Sequence, residues 1–340
     1  MKSLLSRFQA NRALLLTLVA LLSIGFLAGA QDESATTASV DQPATPSVGE
    51  KSAEGLTILV VGAHPADVFD QCGGTMAHHV ARGDRVYCAV MTTGVRVHDK
   101  VISDDMEHAV SVPEAEKLNA MMEERSKVKQ AEVVKACGIL GIRESDVFFL
   151  GADDAVLLVN EPMIRKIARL IRTLRPDILL THLPNENGGY GSAHATTGQI
   201  VMYAKSFAGG VDPGDTNPPH KVTQVFFFGQ GSAAERTHLS SSEGGFYNDV
   251  FVDITDMAEK KVACFDALES QGYNGPYARK RIETCDGAFG RQIGMAYAEG
   301  FISLYSTRHY YLPISPEDLK HSRMSNHEVI DKRSHRINVP

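Results

Sequence analysis

The sequence has no C-x-x-C pair, no basic stretch of the kind nucleic-acid binding needs, no G-x-G-x-x-G after a strand-like run, and only one long apolar stretch. Each absence removes a class. Five cysteines, Cys72, Cys88, Cys137, Cys264 and Cys285, make an odd number without close pairing, so nothing demands a disulfide framework. Cys88 and Cys137 fall in apolar periodic segments and read as core. With a net charge of −7 and no basic stretch, nucleic acid is not an expected partner. The missing glycine fingerprint leaves a dinucleotide site without support.

The one long apolar stretch is N-terminal. Lys2, Arg7 and Arg12 precede the run Ala13–Leu27, and Ala28-Gly29-Ala30 follows as an A-x-A-like cleavage site. The run is short for a membrane span, polar sequence follows at once, and no cysteine stands at the cleavage site. Residues 1–30 are therefore expected to be an export signal, with no membrane span after cleavage and a periplasmic or extracellular destination. Removing three positive charges would leave −7 − 3 = −10. Residues 31–55, rich in Ser, Thr, Ala, Pro and Glu, read as a disordered linker.

What is present is organised around Thr57 to Gly94. A β-branched run, Ile58–Val61, reads as a buried parallel strand and ends in Gly62-Ala63-His64-Pro65-Ala66-Asp67. Gly73-Gly74 is expected to open a helix that runs to about Arg82 and stops at Gly83, before a second strand at Val86–Met91. The polar stretch after Gly94 reads as an irregular loop or lid. Helices are expected at Met121–Leu140, Pro162–Leu174, His194–Ala208 and Met257–Gln271. Strands are expected at Val147–Leu150, Ile178–Thr181, Val222–Phe228 and Val250–Ile254. Alternating strands and helices imply an α/β fold with a doubly wound, mostly parallel, Rossmann-like sheet over residues 56–312. A polar C-terminal half-domain closes it, and residues 313–340 read as a tail.

In such sheets ligands bind outside the carboxyl ends of the strands, at the point where strand order reverses. His64 and Asp67 follow the first strand; His182 through His194 follow the fourth. Two imidazoles and a carboxylate with an open position suit a catalytic zinc. The residue types alone leave two readings open: a metal site, or unrelated loop histidines.

VVGAHPADVFDQCGGT followed by ARGDRVYCAVMTTG resembles the signature of the LmbE-like, or PIG-L, zinc-dependent N-deacetylases, which reads A-H-P-D-D, G-G-T, T-x-G. Lys129–Glu132 with Gly138–Gly141, Phe149-Leu150-Gly151 with Asp154, Asn187–His194, Val252–Thr255, Lys261, Ser270-Gln271 and Tyr297–Glu299 resemble later marks of that family. The resemblance implies one Zn²⁺ per chain on His64, Asp67 and His194, metal sites at the strand ends, and Tyr190 polarising a substrate oxygen. Asp154 and Arg96 are the expected substrate-binding residues, Arg96 through a substrate carboxylate.

Two departures stand out. The family's general-base aspartate is here Ala66, and its H-P-D-H loop is here Gly191-Ser192-Ala193-His194, which keeps only the ligand histidine. One branch, similar to the 4-oxalomesaconate hydratases, also carries Ala before the ligand Asp. Replacement acid or base groups are sought in His182, His98, Asp99 and Asp153. The leading expectation is a hydrolase removing an N-acyl group from an amino sugar or glycoconjugate. A metal-dependent hydratase and a non-catalytic carbohydrate-binding relative are the alternatives.

Overall fold

The computed structural model describes residues 55–109, 111–186, 192–229 and 248–338. The expected export signal and the expected linker up to residue 54 lie outside them. Strands β1 (Thr57–Gly62), β2 (Arg85–Thr92), β3 (Val147–Ala152), β4 (Ile178–Thr181), β5 (Gln224–Phe228), β6 (Val250–Asp253) and β7 (Ala298–Ser303) form a seven-stranded sheet in the order β3-β2-β1-β4-β5-β7-β6. The first five are parallel; β7 pairs antiparallel with both β5 and β6.

Strand β1 shows why the sheet is two-faced. Ile58 and Val60 join one core cluster, while Leu59 and Val61 join the other. Successive side chains point to opposite faces, so a strand covered on both sides must be apolar throughout. All four are at most 1% exposed, worth roughly 1.5–3 kcal/mol each in burial. The first face packs α1 (Asp67–Arg82), α3 (Ala115–Leu140), α6 (Ala258–Asp266) and α7 (Pro276–Ile293). The second packs α4 (Glu161–Leu174) and α5 (Ala193–Ala208).

Helix α1 starts at Asp67, not at the double glycine, and kinks at Cys72, whose φ is −151°. The kink exposes new N–H groups, and the buried Glu299 carboxylate accepts from Gly74 N–H at 2.8 Å and Thr75 N–H at 2.7 Å. A Cβ on Gly74 would lie 2.6 Å from Ile254, so only glycine allows this approach. Lys261 Nζ neutralises the arrangement, at 2.8 Å from Glu299 and 2.8 Å from Asp286, and donates to Asp70 O at 2.7 Å. These marks of the sequence are thus a buried brace for the helix that carries Asp67.

The expected loop after Gly94 contains a helix, α2 (Lys100–Glu107), started by Asp99 accepting from Ile102 N–H at 3.0 Å. Helix α3 begins six residues earlier than its apolar spacing indicated, because its first turns are polar and exposed. The C-terminal segment is no separate half-domain: β7 lies inside the sheet, between β5 and β6. Beyond residue 313, α8 (Pro316–Ser322) and α9 (Asn326–Arg333) open on capping boxes at Ser315/Asp318 and Ser325/Glu328. The chain then returns to the body, with Ile337 buried and its N–H donating to Tyr297 Oη at 3.2 Å. Among the described residues no helix is long and apolar enough to cross a membrane.

Candidate active site

β1 and β4 are hydrogen-bonded parallel neighbours, with Val61 opposite Thr181. The chain leaves β1 for α1 on one face and β4 for α5 on the other, so the switch point lies between them. The two loops that follow therefore converge. His64 leaves the end of β1, Asp67 opens α1, His182 follows β4, and His194 sits in the first turn of α5, whose N-cap Ser192 accepts from Ala195 N–H at 3.3 Å.

Asp67 Oδ2 is the hub. It accepts from His64 N–H at 2.7 Å and lies 3.3 Å from His64 Nδ1, 3.3 Å from His182 Nε2 and 3.4 Å from His194 Nε2. Burial alone would push this carboxyl up. The charges of His194 and His64, with the hydrogen bond from His194, hold it well below the usual carboxylate range. His194 is flanked by two acceptors: Asp67 at Nε2 and, at Nδ1, Glu186 Oε1 at 2.9 Å. Burial lowers its pKa, but Asp67 and Glu186 prevail and raise it to about 10. Glu186, opposed by its own burial, is held down at about 2 by His182 and His194. The cluster is built to hold positive charge.

His64, Asp67 and His194 place one ligand atom each within 4.8 Å of the others. His64 Nε2 is buried and has no hydrogen-bond partner among the described residues. An orphaned imidazole nitrogen beside a shared carboxylate is the donor chemistry a divalent ion satisfies. Glu186 then resembles the carboxylate that fixes a metal-bound histidine from behind. Sequence reading missed Glu186. Its spacing from His182, i to i+4, was the available signal, and His182 Nδ1 lies 3.5 Å from Glu186 Oε2.

The other expected residues separate. His182 is 2% exposed, accepts from Ala63 N–H at 3.1 Å, and stacks on His194 with centroids 4.2 Å apart. Both its nitrogens are engaged, so it positions Asp67 and His194 rather than meeting a substrate. Asp99 is fully buried, capping α2 and pairing with Arg125 at 3.0 Å, so it is structural. Asp153 is exposed at the rim, 3.3 Å from Arg96 Nε. The Arg96 side chain thus turns outward, while its N–H and that of Val97 donate to Asp154 at 2.9 and 3.2 Å. Asp154 lines the cleft. Tyr190 lies outside the described residues. Ala66 is buried in the core and offers no carboxylate.

The cleft has a volume of about 840 Å³ and is lined by His64, His98, Asp154, Glu186 and His194 among others. His98 stands edge-on to His64, centroids 4.3 Å apart. Burial, reinforced by His64, lowers its pKa to about 4, so this imidazole is neutral at physiological pH.

Residues 59–205 match the family model described as PIG-L, GlcNAc-PI de-N-acetylase. Over that span the chain carries a PIG-L domain. A 1D-myo-inositol 2-acetamido-2-deoxy-alpha-D-glucopyranoside deacetylase of Catenulispora acidiphila is 28% identical over 202 residues, 53% of this chain and 62% of its own length. A 4-oxalmesaconate hydratase of Pseudomonas putida is 23% identical over 255 residues, 73% of this chain and 88% of its own. Two solved structures share the fold of the PIG-L domain. The 4-carboxy-2-hydroxymuconate hydratase GalB of Pseudomonas putida has a TM-score of 0.60 at 20% identity, covering 76% of this chain and 100% of its own. The N,N'-diacetylchitobiose deacetylase of Pyrococcus horikoshii has 0.57 at 19%, covering 73% and 83%.

Proposed function

We propose that this protein is an exported, zinc-dependent hydrolase that removes an N-acyl group, such as acetyl, from an amino sugar or glycoconjugate. The observation that carries the reading is the His64, Asp67, His194 donor set at the switch point, opening into a cleft that also holds Asp154 and a neutral His98. The deacetylase relative gives the reaction class. Export rests on the basic, apolar and small-residue order of residues 1–30.

His64, Asp67 and His194 would hold the ion, which when bound supplies Lewis acidity and lowers the pKa of water. Asp154, pinned by two backbone N–H groups, accepts from a substrate hydroxyl and orients the sugar. His98 stands where a neutral imidazole can take the proton of the attacking water, the task left open by Ala66. Glu186 keeps His194 in one orientation. Tyr190 is assigned, by family resemblance, to the developing oxyanion. Water adds to the acyl carbon, the C–N bond breaks, and a carboxylate and a protonated amine leave.

A hydratase is the second reading. It is favoured by Ala66 and by the hydratase relative, whose match spans more of this chain than the Catenulispora deacetylase does. The deciding experiment offers zinc-loaded protein N-acetylated amino sugars and unsaturated dicarboxylic acids side by side. Acetate release supports the first reading; water addition without acetate supports the second.

A further inference from the structure

A second cavity, of about 450 Å³, shares no lining residue with the active-site cleft and is built wholly outside the span 59–205. It lies between the last turns of α7, the entry to β7 and the segment that follows α9. Arg291, Arg333 and Arg336 all line it. Among the described residues, none of these three side chains forms an ion pair or a hydrogen bond. Elsewhere Arg172, Arg279 and Arg281 each pair with an aspartate. In a chain of net charge −7 carboxylates are in excess, so composition favours pairing guanidiniums over gathering them bare.

Helix ends explain part of this. Arg291 and Arg333 stand in the last turns of α7 and α9, where a cation offsets the roughly half negative charge of a helix C-terminus. Arg336 lies beyond α9 and has no such role. The two helix ends and Glu283, which also lines the cavity, carry about two negative charges against three guanidiniums, so positive charge is left over. The cavity is also preformed. Ile337, next to Arg336, is buried, and its N–H donates to Tyr297 Oη at 3.2 Å. Asn338 N–H donates to Glu259 at 2.6 Å, and Arg279 Nε donates to Asn338 O at 3.3 Å. Tyr297 in turn donates its hydroxyl proton to Glu283 Oε1. The segment after α9 is thus pinned just past the arginines, and little ordering remains to oppose binding.

We propose that this cavity binds a small hydroxylated phosphate ester, of the sugar phosphate class, with its phosphate on Arg291, Arg333 and Arg336. One guanidinium fork satisfies the two oxygens of a carboxylate; three guanidiniums suit the three terminal oxygens of a phosphate monoester. The volume lies in the range of small-molecule pockets and exceeds what a bare ion fills. Glu283 would repel a bare anion, but it suits a polyol. Its Oε1 takes the Tyr297 hydroxyl, and Oε2 accepts from a ligand hydroxyl.

The test is calorimetry on the zinc-loaded full chain at low ionic strength, with glucose 6-phosphate, inorganic phosphate and glucose as probes. Glucose 6-phosphate binds once per chain and at least threefold tighter than inorganic phosphate, and glucose gives no signal. The double variant Arg333→Gln, Arg336→Gln, at exposed positions that keep the fold, weakens glucose 6-phosphate by about tenfold or more. Phosphate is also a zinc ligand, so the titration is repeated on Asp67→Asn, where binding at the arginine cavity persists. Three results overturn the site: no binding of glucose 6-phosphate, an affinity that the arginine variant leaves unchanged, or binding that disappears in Asp67→Asn. Inorganic phosphate binding as tightly as the ester overturns it too, because the cavity would then be a patch for any anion.

Discussion

Asp67 Oδ2 lies 3.4 Å from His194 Nε2, joining the first turn of α1 to the first turn of α5 across the seam between β1 and β4. This contact makes two distant segments of chain into one site, and it carries opposite charges that either a proton or a metal ion can satisfy. Asp67→Asn keeps the shape and removes the charge. The bound metal should fall from about one ion per chain to below a tenth, measured by elemental analysis after dialysis. Full occupancy in the variant would show that the ion sits elsewhere.

Proton and metal compete at His194. Its pKa in the metal-free protein, about 10, lies above the ordinary 6.5 of an unfolded chain. Below pH 6.5 the folded metal-free protein therefore gains the full benefit of the charged imidazole, and it loses that benefit as pH rises through 10. The Tm of metal-free protein should decline between pH 7 and 10, and His194→Asn should flatten the slope. Zinc affinity should move the other way, rising by up to about tenfold per pH unit over the same range, because one proton leaves for each ion bound. Proton release is read directly by calorimetry in buffers of different ionisation enthalpy. An affinity independent of pH would be inconsistent with His194 as a ligand.

His98 is the group assigned to the task of the carboxylate that Ala66 lacks. His98→Gln should leave metal content unchanged and lower kcat by about 10²–10⁴-fold, with KM changing little. Unaltered kcat would remove His98 from the chemistry and turn attention to Glu186, a carboxylate that also lines the cleft.

The brace behind α1 should matter to stability rather than to chemistry. Lys261→Met strands Glu299 and Asp286 in the core without a counter-ion, at a cost of about 3–5 kcal/mol. Gly74→Ala forces a methyl group to 2.6 Å from Ile254 and should cost about 1–3 kcal/mol. Denaturant midpoints measure both. Wild-type stability in either variant would mean that the kinked geometry is not what these residues hold.

The parallel half of the sheet was legible because strands buried on both faces are apolar without interruption, as Ile58–Val61 and Ile178–Leu180 are. The convergence of His64, Asp67 and His194 followed from strand order. Other features were hidden for physical reasons. Helix α2 is only eight residues long and mostly exposed, and the start of α3 is exposed and polar. Helix α7 has a low apolar content, and β7 contains Glu299 and Gly300, residues that argue against an interior strand until Lys261 and the α1 kink are seen to need them. Asp99 looked available in sequence, but three-dimensional packing gives it to Arg125 and α2. Glu186 was overlooked among asparagines and glycines, where only its approach to two histidines reveals a role.

The most direct test is acetate release from N-acetylated amino sugars by purified protein, before and after removal of bound metal by a chelator. A metal-dependent N-deacylase releases acetate, stops when stripped, and recovers when one equivalent of zinc is returned. Release that survives complete stripping, or none from any acylated amino sugar under full zinc loading, would contradict it.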